Sequence, residues 1–98
     1  MATYVVVILN FTETDWLPAY GPPSHSLVAE HGGKVLAVQL ASDIGHAEGS
    51  GRIPTLIGLV EFPTPAQWQA FYDDPRYAPW KKLRISKASG DLFVIEGD

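Results

Sequence analysis

The segment from Ile53 to Pro65 limits the possible folds more than any other part of the sequence, because it predicts a buried strand followed at once by a helix. Its residues are mostly apolar up to Phe62, and Pro63 ends the pattern. Thr64-Pro65-Ala66-Gln67 then predicts a helix start, with threonine as the cap, proline at the first helical position and glutamine completing a capping box. We expect the other elements to be arranged around this junction.

The size and composition of the chain favour one small domain, residues 1–98, that associates with a second copy. Hydrophobic residues make up 46% of the sequence and charged residues only 18%, which is low for a chain that must cover its whole surface with polar groups. Some apolar surface is therefore expected to be covered by another chain. The formal net charge of −4 argues against nucleic acid or an anionic membrane as a partner.

The sequence also excludes several kinds of chemistry and location. It contains no cysteine, so disulfides, thiolate nucleophiles and cysteine-based metal sites are ruled out. The apolar run from Tyr4 to Leu9 is far shorter than the roughly 20 residues of a membrane helix and has no basic segment before it. We therefore expect a soluble protein of the cytoplasm.

Three further segments predict strands. Their β-branched and aromatic residues distinguish them from the surrounding loops. They are Thr3–Leu9, Lys34–Leu40 and Asp91–Glu96, the last preceded by a predicted turn at Ser89-Gly90. Thr3–Leu9 carries no charged residue on either alternate face, which predicts a strand buried on both sides.

The pattern between the first two strands predicts a helix in two pieces. Thr14 or Asp15 can cap a first piece that carries Trp16, Leu17 and Tyr20. Gly21-Pro22-Pro23 is expected to break it, because prolines cannot donate backbone hydrogen bonds. Ser24 can cap the second piece, which should end at Gly32-Gly33 with a left-handed cap.

The segment after Thr64 also predicts two helical pieces. Trp68, Phe71 and Tyr72 form an aromatic stripe that should pack on the sheet. Asp73-Asp74-Pro75 interrupts this helix, and a second one is expected from about Pro79 to Ile85.

The order of the elements predicts an α+β fold, namely a ferredoxin-like βαββαβ arrangement with a four-stranded antiparallel sheet. Strands one and three should be central, since their sequences are the most continuously apolar. Helices can cover only one face of such a sheet, yet strand one is apolar on both. We therefore predict a homodimer in which the uncovered sheet faces pack against each other.

Short motifs and single residues along the whole chain form a recognisable set. They are Tyr4-Val5-Val6-Val7, Tyr20, Gly32-Gly33, Glu48-Gly49, Glu61-Phe62-Pro63, Tyr72, Asp74-Pro75-Arg76-Tyr77, Arg84 and Val94-Ile95-Glu96-Gly97. Through these residues the chain resembles the domain of unknown function 1330 family over essentially its whole length. The resemblance implies a dimeric α+β barrel that holds its ligand between the sheet and the helices. Related branches of that superfamily include cofactor-independent oxygenases, lactone isomerases and haem enzymes, and the family itself implies no agreed reaction. Gly21-Pro22-Pro23 and the loop from Gly45 to Gly51 depart from the family pattern.

Three polar side chains are candidates for catalysis. His25 or Glu48 could move a proton, and Arg52 could hold developing negative charge. The alternatives are ordinary ones, because surface histidines are common and Glu48 with Arg52 could form a loop ion pair of little consequence.

Five further residues are candidates for ligand binding. Tyr20, Trp68 and Tyr77 could line an apolar pocket, Gly58 could make room in it, and Arg84 could hold negative charge. The alternative is that the aromatic residues simply fill the core and the dimer interface. No metal-binding motif and no nucleotide fingerprint is present, so neither a metal nor another cofactor is predicted.

Three functions are compatible with the sequence. The first is a cofactor-independent enzyme that acts by acid–base chemistry on a small apolar metabolite with a carbonyl or carboxylate group. The second is a dimer that binds a small molecule without converting it. The third is a purely structural dimer, which would have no pocket for a ligand.

Overall fold

The computed structural model describes residues 1–97, and it confirms the α+β fold. The elements in chain order are β1 (Ala2–Asn10), α1 (Leu17–Glu30), β2 (Lys34–Leu40), β3 (Leu56–Phe62), α2 (Pro65–Tyr72), α3 (Ala78–Lys87) and β4 (Ser89–Gly97), with a 3₁₀ turn at Ala41–Asp43. The four strands form one antiparallel sheet in the order β2-β3-β1-β4. Strands β1 and β3 are therefore central, as the sequence predicts.

The register of the central strands divides their side chains between two faces. Strand β1 pairs with β3 from Thr3 opposite Phe62 to Leu9 opposite Leu56, without a bulge. Val5, Leu9 and Phe62 are buried among the helices. Because neighbouring residues of a strand point to opposite faces, Val6 and Ile8 of β1 lie on the other face of the sheet.

Helix α1 is continuous through Gly21-Pro22-Pro23, so the predicted break is wrong. Pro22 and Pro23 remove the hydrogen bonds that their N–H groups would donate to the carbonyls of Pro18 and Ala19. Both of those residues are exposed, so water can satisfy the two carbonyls. Packing of the helix on the sheet outweighs the local preference of the prolines.

The predicted caps of this region are also wrong. The residue before α1 is Trp16, which makes no capping hydrogen bond with its side chain, so neither Thr14 nor Asp15 caps the helix. Ser24 does not begin a second helix, because α1 continues through it and buries its side chain. The burial of Ser24 is therefore a result of the continuous helix.

The end of α1 and the start of α2 agree with the sequence prediction. Gly32 has a φ of +83°, the left-handed conformation expected of a glycine after a helix. A Cβ on Gly33 would lie only 2.7 Å from the ring of Phe62, so the chain passes too close to the core for a side chain. At the start of α2, Thr64 Oγ1 accepts a hydrogen bond from Gln67 N at 3.2 Å.

The last two elements are longer than predicted. Helix α3 spans Ala78–Lys87, and β4 begins at Ser89. The predicted turn at Ser89-Gly90 is therefore wrong, because both residues are part of β4 and pair with Asn10 and Leu9. Gly90 has a φ of +141°, and a Cβ on it would overlap the carbonyl of Ile8. Glycine allows this close approach, which extends β4 beside β1.

The face of the sheet opposite the helices is mainly apolar, although Glu61 and Asp91 also lie on it, and we call it the outer face. Its side chains alternate with those of the helix-covered face and include Val6, Ile8, Leu59, Phe93 and Ile95. Phe93 and Ile95 are each more than half exposed. Within residues 1–97, no helix covers this face. The helices in this part of the chain are also too short or too polar to cross a membrane.

Candidate functional site

A cavity of about 310 Å³ lies between the sheet and its helices. Its lining is almost entirely apolar and includes Val5, Leu9, Val28, Leu56, Val60 and Leu92. Val38 and Leu40 of the edge strand β2 also line it, and each is more than two-fifths exposed. The cavity therefore opens to solvent beside β2.

Gly58 leaves room at the centre of the sheet beneath this cavity. It lies between Val7 of β1 and Val38 of β2, and all three residues line the cavity. A Cβ on Gly58 would lie 3.4 Å from Cβ of Val7 and farther from every other group, which is a tolerable contact. The missing side chain at Gly58 therefore enlarges the cavity.

Two tyrosine hydroxyls meet in the lining. Tyr20 of α1 and Tyr77, which immediately precedes α3, have their hydroxyl oxygens 2.6 Å apart. Burial, followed by the influence of neighbouring Tyr20, raises the pKa of Tyr77 well above its ordinary value. Tyr77 therefore keeps its proton at neutral pH and acts as a hydrogen-bond donor or acceptor, not as a base.

Arg84 is the buried cation of the cavity. Its side chain lines the cavity and is 7% exposed, and its Nε atom has no hydrogen-bond partner in the part of the chain that the structure describes. Within residues 1–97, no carboxylate forms an ion pair with it. Burial alone would lower the pKa of Arg84, but the neighbouring Tyr77 and Tyr20 shift that pKa upward overall. Arg84 therefore carries its positive charge at neutral pH among apolar and phenolic groups.

Ser24 and His25 add two polar groups from α1. The hydroxyl of Ser24 is buried without a hydrogen-bond partner, and Ser24 lines the cavity. His25 lines the cavity too, but it is exposed. His25 therefore lies where a ligand could contact both it and the solvent.

The structure brings most of the predicted site residues together. Tyr20, Gly58, Trp68, Tyr77 and Arg84, which the sequence suggested for ligand binding, all line the cavity. Their predicted role in binding stays a prediction.

The predicted catalytic residues are not brought together. His25 lines the cavity, whereas Glu48 and Arg52 are exposed in the loop between β2 and β3 and are not part of the lining. Glu48 and Arg52 form no ion pair with each other in the structure. Their catalytic role stays a prediction without a contact to the cavity.

A second polar cluster lies at the end of α1, away from the cavity lining. His31 Nε2 lies 2.9 Å from Asp74 Oδ2, and Arg76 Nη2 lies 2.8 Å from the same oxygen. Arg76 also forms an ion pair with Glu30. Hydrogen bonds from Arg76 and then from His31 hold the pKa of Asp74 well below its ordinary value.

This cluster could offer three ligand atoms to a metal ion. One atom each from Glu30, His31 and Asp74 lies within 4.8 Å of the others. Arg76 already pairs with both carboxylates, so its guanidinium supplies the positive charge that a metal would bring. The cluster is best described as an ion-pair network that ties the end of α1 to the segment before α3.

Sequence reasoning missed Ser24 as part of the cavity and Asp74 as the centre of the network. Tyr20, Ser24 and Val28 are four residues apart and share one face of a continuous helix, which could have identified the lining. The predicted helix break hid that spacing. Asp74 and His31 are 43 residues apart, and no local pattern indicates that they meet.

The sequence matches one protein family along nearly its whole length. The family is described as "Domain of unknown function (DUF1330)", and the match covers residues 2–98. None of the curated proteins matches the sequence significantly.

Several solved structures have a similar fold. A protein of unknown function from Rhodopseudomonas palustris is 19% identical, with a TM-score of 0.69, over 96% of this chain and 78% of that chain. A candidate antibiotic biosynthesis monooxygenase from Nitrosomonas europaea is 17% identical, with a TM-score of 0.61, over 100% of this chain and 98% of that chain. A dimeric protein of unknown function with a ferredoxin-like fold, from Bacteroides fragilis, is 9% identical, with a TM-score of 0.55, over 98% and 95% of the two chains. At these identities the likeness shows the ferredoxin-like fold alone.

Proposed function

The chain belongs to the DUF1330 family, and we propose that it binds a small, mainly apolar metabolite in the cavity between the sheet and the helices. The observation that carries this proposal is the cavity itself, about 310 Å³ of apolar space that opens beside β2. Ligand sites are usually concave and apolar with a few convergent polar groups, and this cavity has that character. Ligand pockets have volumes of roughly 300–1,000 Å³, so a cavity of this volume suits a small molecule.

The polar groups of the lining support a ligand with one polar end. Arg84, the hydroxyls of Tyr20 and Tyr77, and Ser24 are the buried or half-buried polar groups that reach an otherwise hydrophobic wall. Such groups fix the orientation of a small molecule whose remaining surface is held by apolar contact. A purely structural dimer has no need of an open apolar cavity, which costs stability.

A binding experiment with a neutral probe tests the proposal. Titration with 3-phenylpropanamide should produce saturable shifts in the backbone amide signals of cavity residues such as Val5. Gly58→Leu should abolish these shifts, because the new side chain enters the cavity. Gly51→Leu is the matched control, since Gly51 is in the exposed loop with no atom within 4 Å of an added Cβ. The proposal fails if the wild type shows no saturable shifts, or if Gly58→Leu binds as the wild type does.

We also propose that the binding unit is a homodimer joined through the outer faces of two sheets. The outer face carries exposed Phe93 and Ile95 beside Val6 and Leu59, and burying such a surface against a second copy is strongly favourable. The structural likeness to the dimeric protein from Bacteroides fragilis supports this proposal.

Sedimentation velocity at micromolar concentration tests the dimer. The wild type should sediment as a dimer, and Phe93→Lys should be monomeric because it places charge in the centre of the interface. Ile85→Lys is the control, since Ile85 is 61% exposed but belongs to α3 on the opposite side of the sheet. A monomeric wild type, or a dimeric Phe93→Lys, would contradict the proposed assembly.

Turnover of the ligand is a second candidate function, and the position of His25 favours it. Histidine is the side chain best suited to moving protons at neutral pH, and His25 lines the cavity at an exposed position. The reaction would be cofactor-independent acid–base chemistry on a carbonyl or carboxylate compound. The likeness to the candidate monooxygenase from Nitrosomonas europaea agrees with an enzymatic role through the fold alone.

Solvent deuterium can distinguish turnover from binding alone. Small molecules extracted from the purified protein would be returned to it in deuterated water and analysed by mass spectrometry. Incorporation of deuterium by the wild type but not by His25→Ala would support proton transfer at a carbon atom. If the small molecule binds but neither takes up deuterium nor is converted, the protein would be a dimer that binds its ligand without catalysing a reaction.

A further inference from the structure

We propose that the ligand of the cavity carries a single carboxylate group, which pairs with the guanidinium of Arg84. This inference rests on the proposed function, since it requires that the cavity binds a small molecule. It goes further by naming the chemical class of that molecule, an apolar monocarboxylic acid, and the residue that selects it.

The first reason is that Arg84 is buried without an anion. The guanidinium has five N–H donors, and Nε is buried with no hydrogen-bond partner. Two other cations near the helices have partners within the protein. Arg76 pairs with Asp74 and Glu30, and Lys81 donates to the Tyr72 carbonyl at 3.1 Å. A buried charge is ordinarily paired with an opposite charge. The Tyr77 hydroxyl interacts with Arg84 but is neutral, so the missing anion indicates a ligand group.

The second reason is that hydrogen-bond donors exceed acceptors around Arg84. The pair formed by Tyr20 and Tyr77 uses one of its two hydroxyl protons, because only one oxygen can donate to the other at 2.6 Å. The second proton is free to donate. Arg84 offers donors only, and among residues 1–97 no acidic side chain lines the cavity. An acceptor with two oxygens, such as a carboxylate, matches both the guanidinium and the free hydroxyl proton.

The third reason is that the site suits a single negative charge. Among residues 1–97, Arg84 is the one permanent cation in the lining, and the rest of the wall is apolar apart from hydroxyl groups and His25. A phosphate ester would bring up to two charges, and its recognition normally uses several cations or a helix N-terminus. A monocarboxylate with an apolar body balances the charge of Arg84 and fills the remaining space.

A matched pair of probes tests the charge requirement directly. 3-Phenylpropanoate and 3-phenylpropanamide have the same apolar body and differ in the charge of the terminal group. At pH 7 the wild type should bind the acid at least about tenfold more tightly than the amide, since hydrogen bonds to charged groups are stronger than neutral ones. The ¹⁵N-detected Nε–H signal of Arg84 should shift with the acid and not with the amide.

Two variants separate the role of Arg84 from general electrostatics. Arg84→Met should lower the affinity for the acid about tenfold or more and leave that for the amide nearly unchanged. Lys82→Met, which removes an exposed cation from the same helix, should leave the preference for the acid intact. Tyr77→Phe should weaken acid binding by a smaller factor. The comparison of the two probes on the wild type stands even if Arg84→Met fails to fold.

The possible results distinguish this inference from the proposed function. If both probes bind the wild type equally well, the carboxylate inference is overturned and binding in the cavity remains. The same conclusion follows if Lys82→Met removes the preference as fully as Arg84→Met. If neither probe binds, the cavity does not accept ligands of this size, and both proposals fall.

Discussion

Replacing Pro22 by alanine should stabilise the protein. Pro22 lies in the interior of α1, where it removes the hydrogen bond to the carbonyl of Pro18 and crowds that carbonyl with its ring. Pro22 is exposed and does not line the cavity, so the substitution changes the backbone of the helix and leaves the site untouched. Alanine restores the N–H donor at this position.

The expected gain is about 2 kcal/mol in the free energy of unfolding. Proline in a helix interior is about 3 kcal/mol less favourable than alanine. Alanine gives the unfolded chain more freedom, which offsets up to about 1 kcal/mol of that difference. For a chain of 98 residues, the remaining gain corresponds to a rise in Tm of roughly 8–16 °C.

Urea denaturation followed by circular dichroism measures this change, at one fixed protein concentration because association affects apparent stability. Pro18→Ala is the matched control, since Pro18 lies in the first turn of the same helix, where proline is well tolerated. That variant should be unchanged or destabilised by up to about 1 kcal/mol. An unchanged or less stable Pro22→Ala would mean that the helix breaks at this point, as its sequence pattern suggests, and would refute the continuous helix.

Three other predictions concern packing, capping and pH. Phe62→Ala should lower the free energy of unfolding by about 3–5 kcal/mol, because its ring is completely buried, and a loss below about 1 kcal/mol in urea denaturation would contradict that packing. Thr64→Ala should cost about 1 kcal/mol by removing the cap of α2, whereas Thr64→Ser should keep most of it, and equal losses in the two variants would argue against the cap. The depressed pKa of Asp74 stabilises the folded state above the ordinary carboxyl pKa, so this stabilisation should be lost as the pH falls below about 4. Asp74→Asn should flatten that part of the pH dependence of thermal unfolding, and an unchanged profile would exclude Asp74 as a contributor.

The end of α1 and the start of α2 were predictable from the sequence, because each depends on residues that are close together in the chain. Thr64 and Gln67 meet within one helical turn, and Gly32 ends α1 through its own backbone conformation. These interactions are local, so residue type and spacing are enough to identify them.

The path of α1 was not predictable in the same way. Gly21-Pro22-Pro23 predicts a break, yet Tyr20, Ser24 and Val28 line the cavity from one face of a continuous helix. Contacts with the sheet outweigh the local cost of the prolines, and these contacts are invisible in a short window of sequence.

The candidate site was likewise only partly predictable from the sequence. Its aromatic residues could be suggested from composition and spacing, but the lack of an anionic partner for Arg84 could not. A missing partner becomes visible only when every neighbouring group has a position in space. The link between His31 and Asp74 likewise depends on the folding of α1 against the segment before α3.

The unbroken pairing of β1 separates the surfaces that carry the two proposed properties of the protein, ligand binding and self-association. Val5, Val7 and Leu9 line the cavity, whereas the intervening Val6 and Ile8 lie on the outer face. If the cavity binds a ligand and the outer face forms the dimer, as proposed, single substitutions in β1 should alter ligand preference without altering self-association, or the reverse. Deletion of one residue would exchange the two sets, because side chains alternate strictly along a strand. On the proposed function, the two properties could change independently by substitution, whereas the length of β1 between its paired ends would be constrained by both.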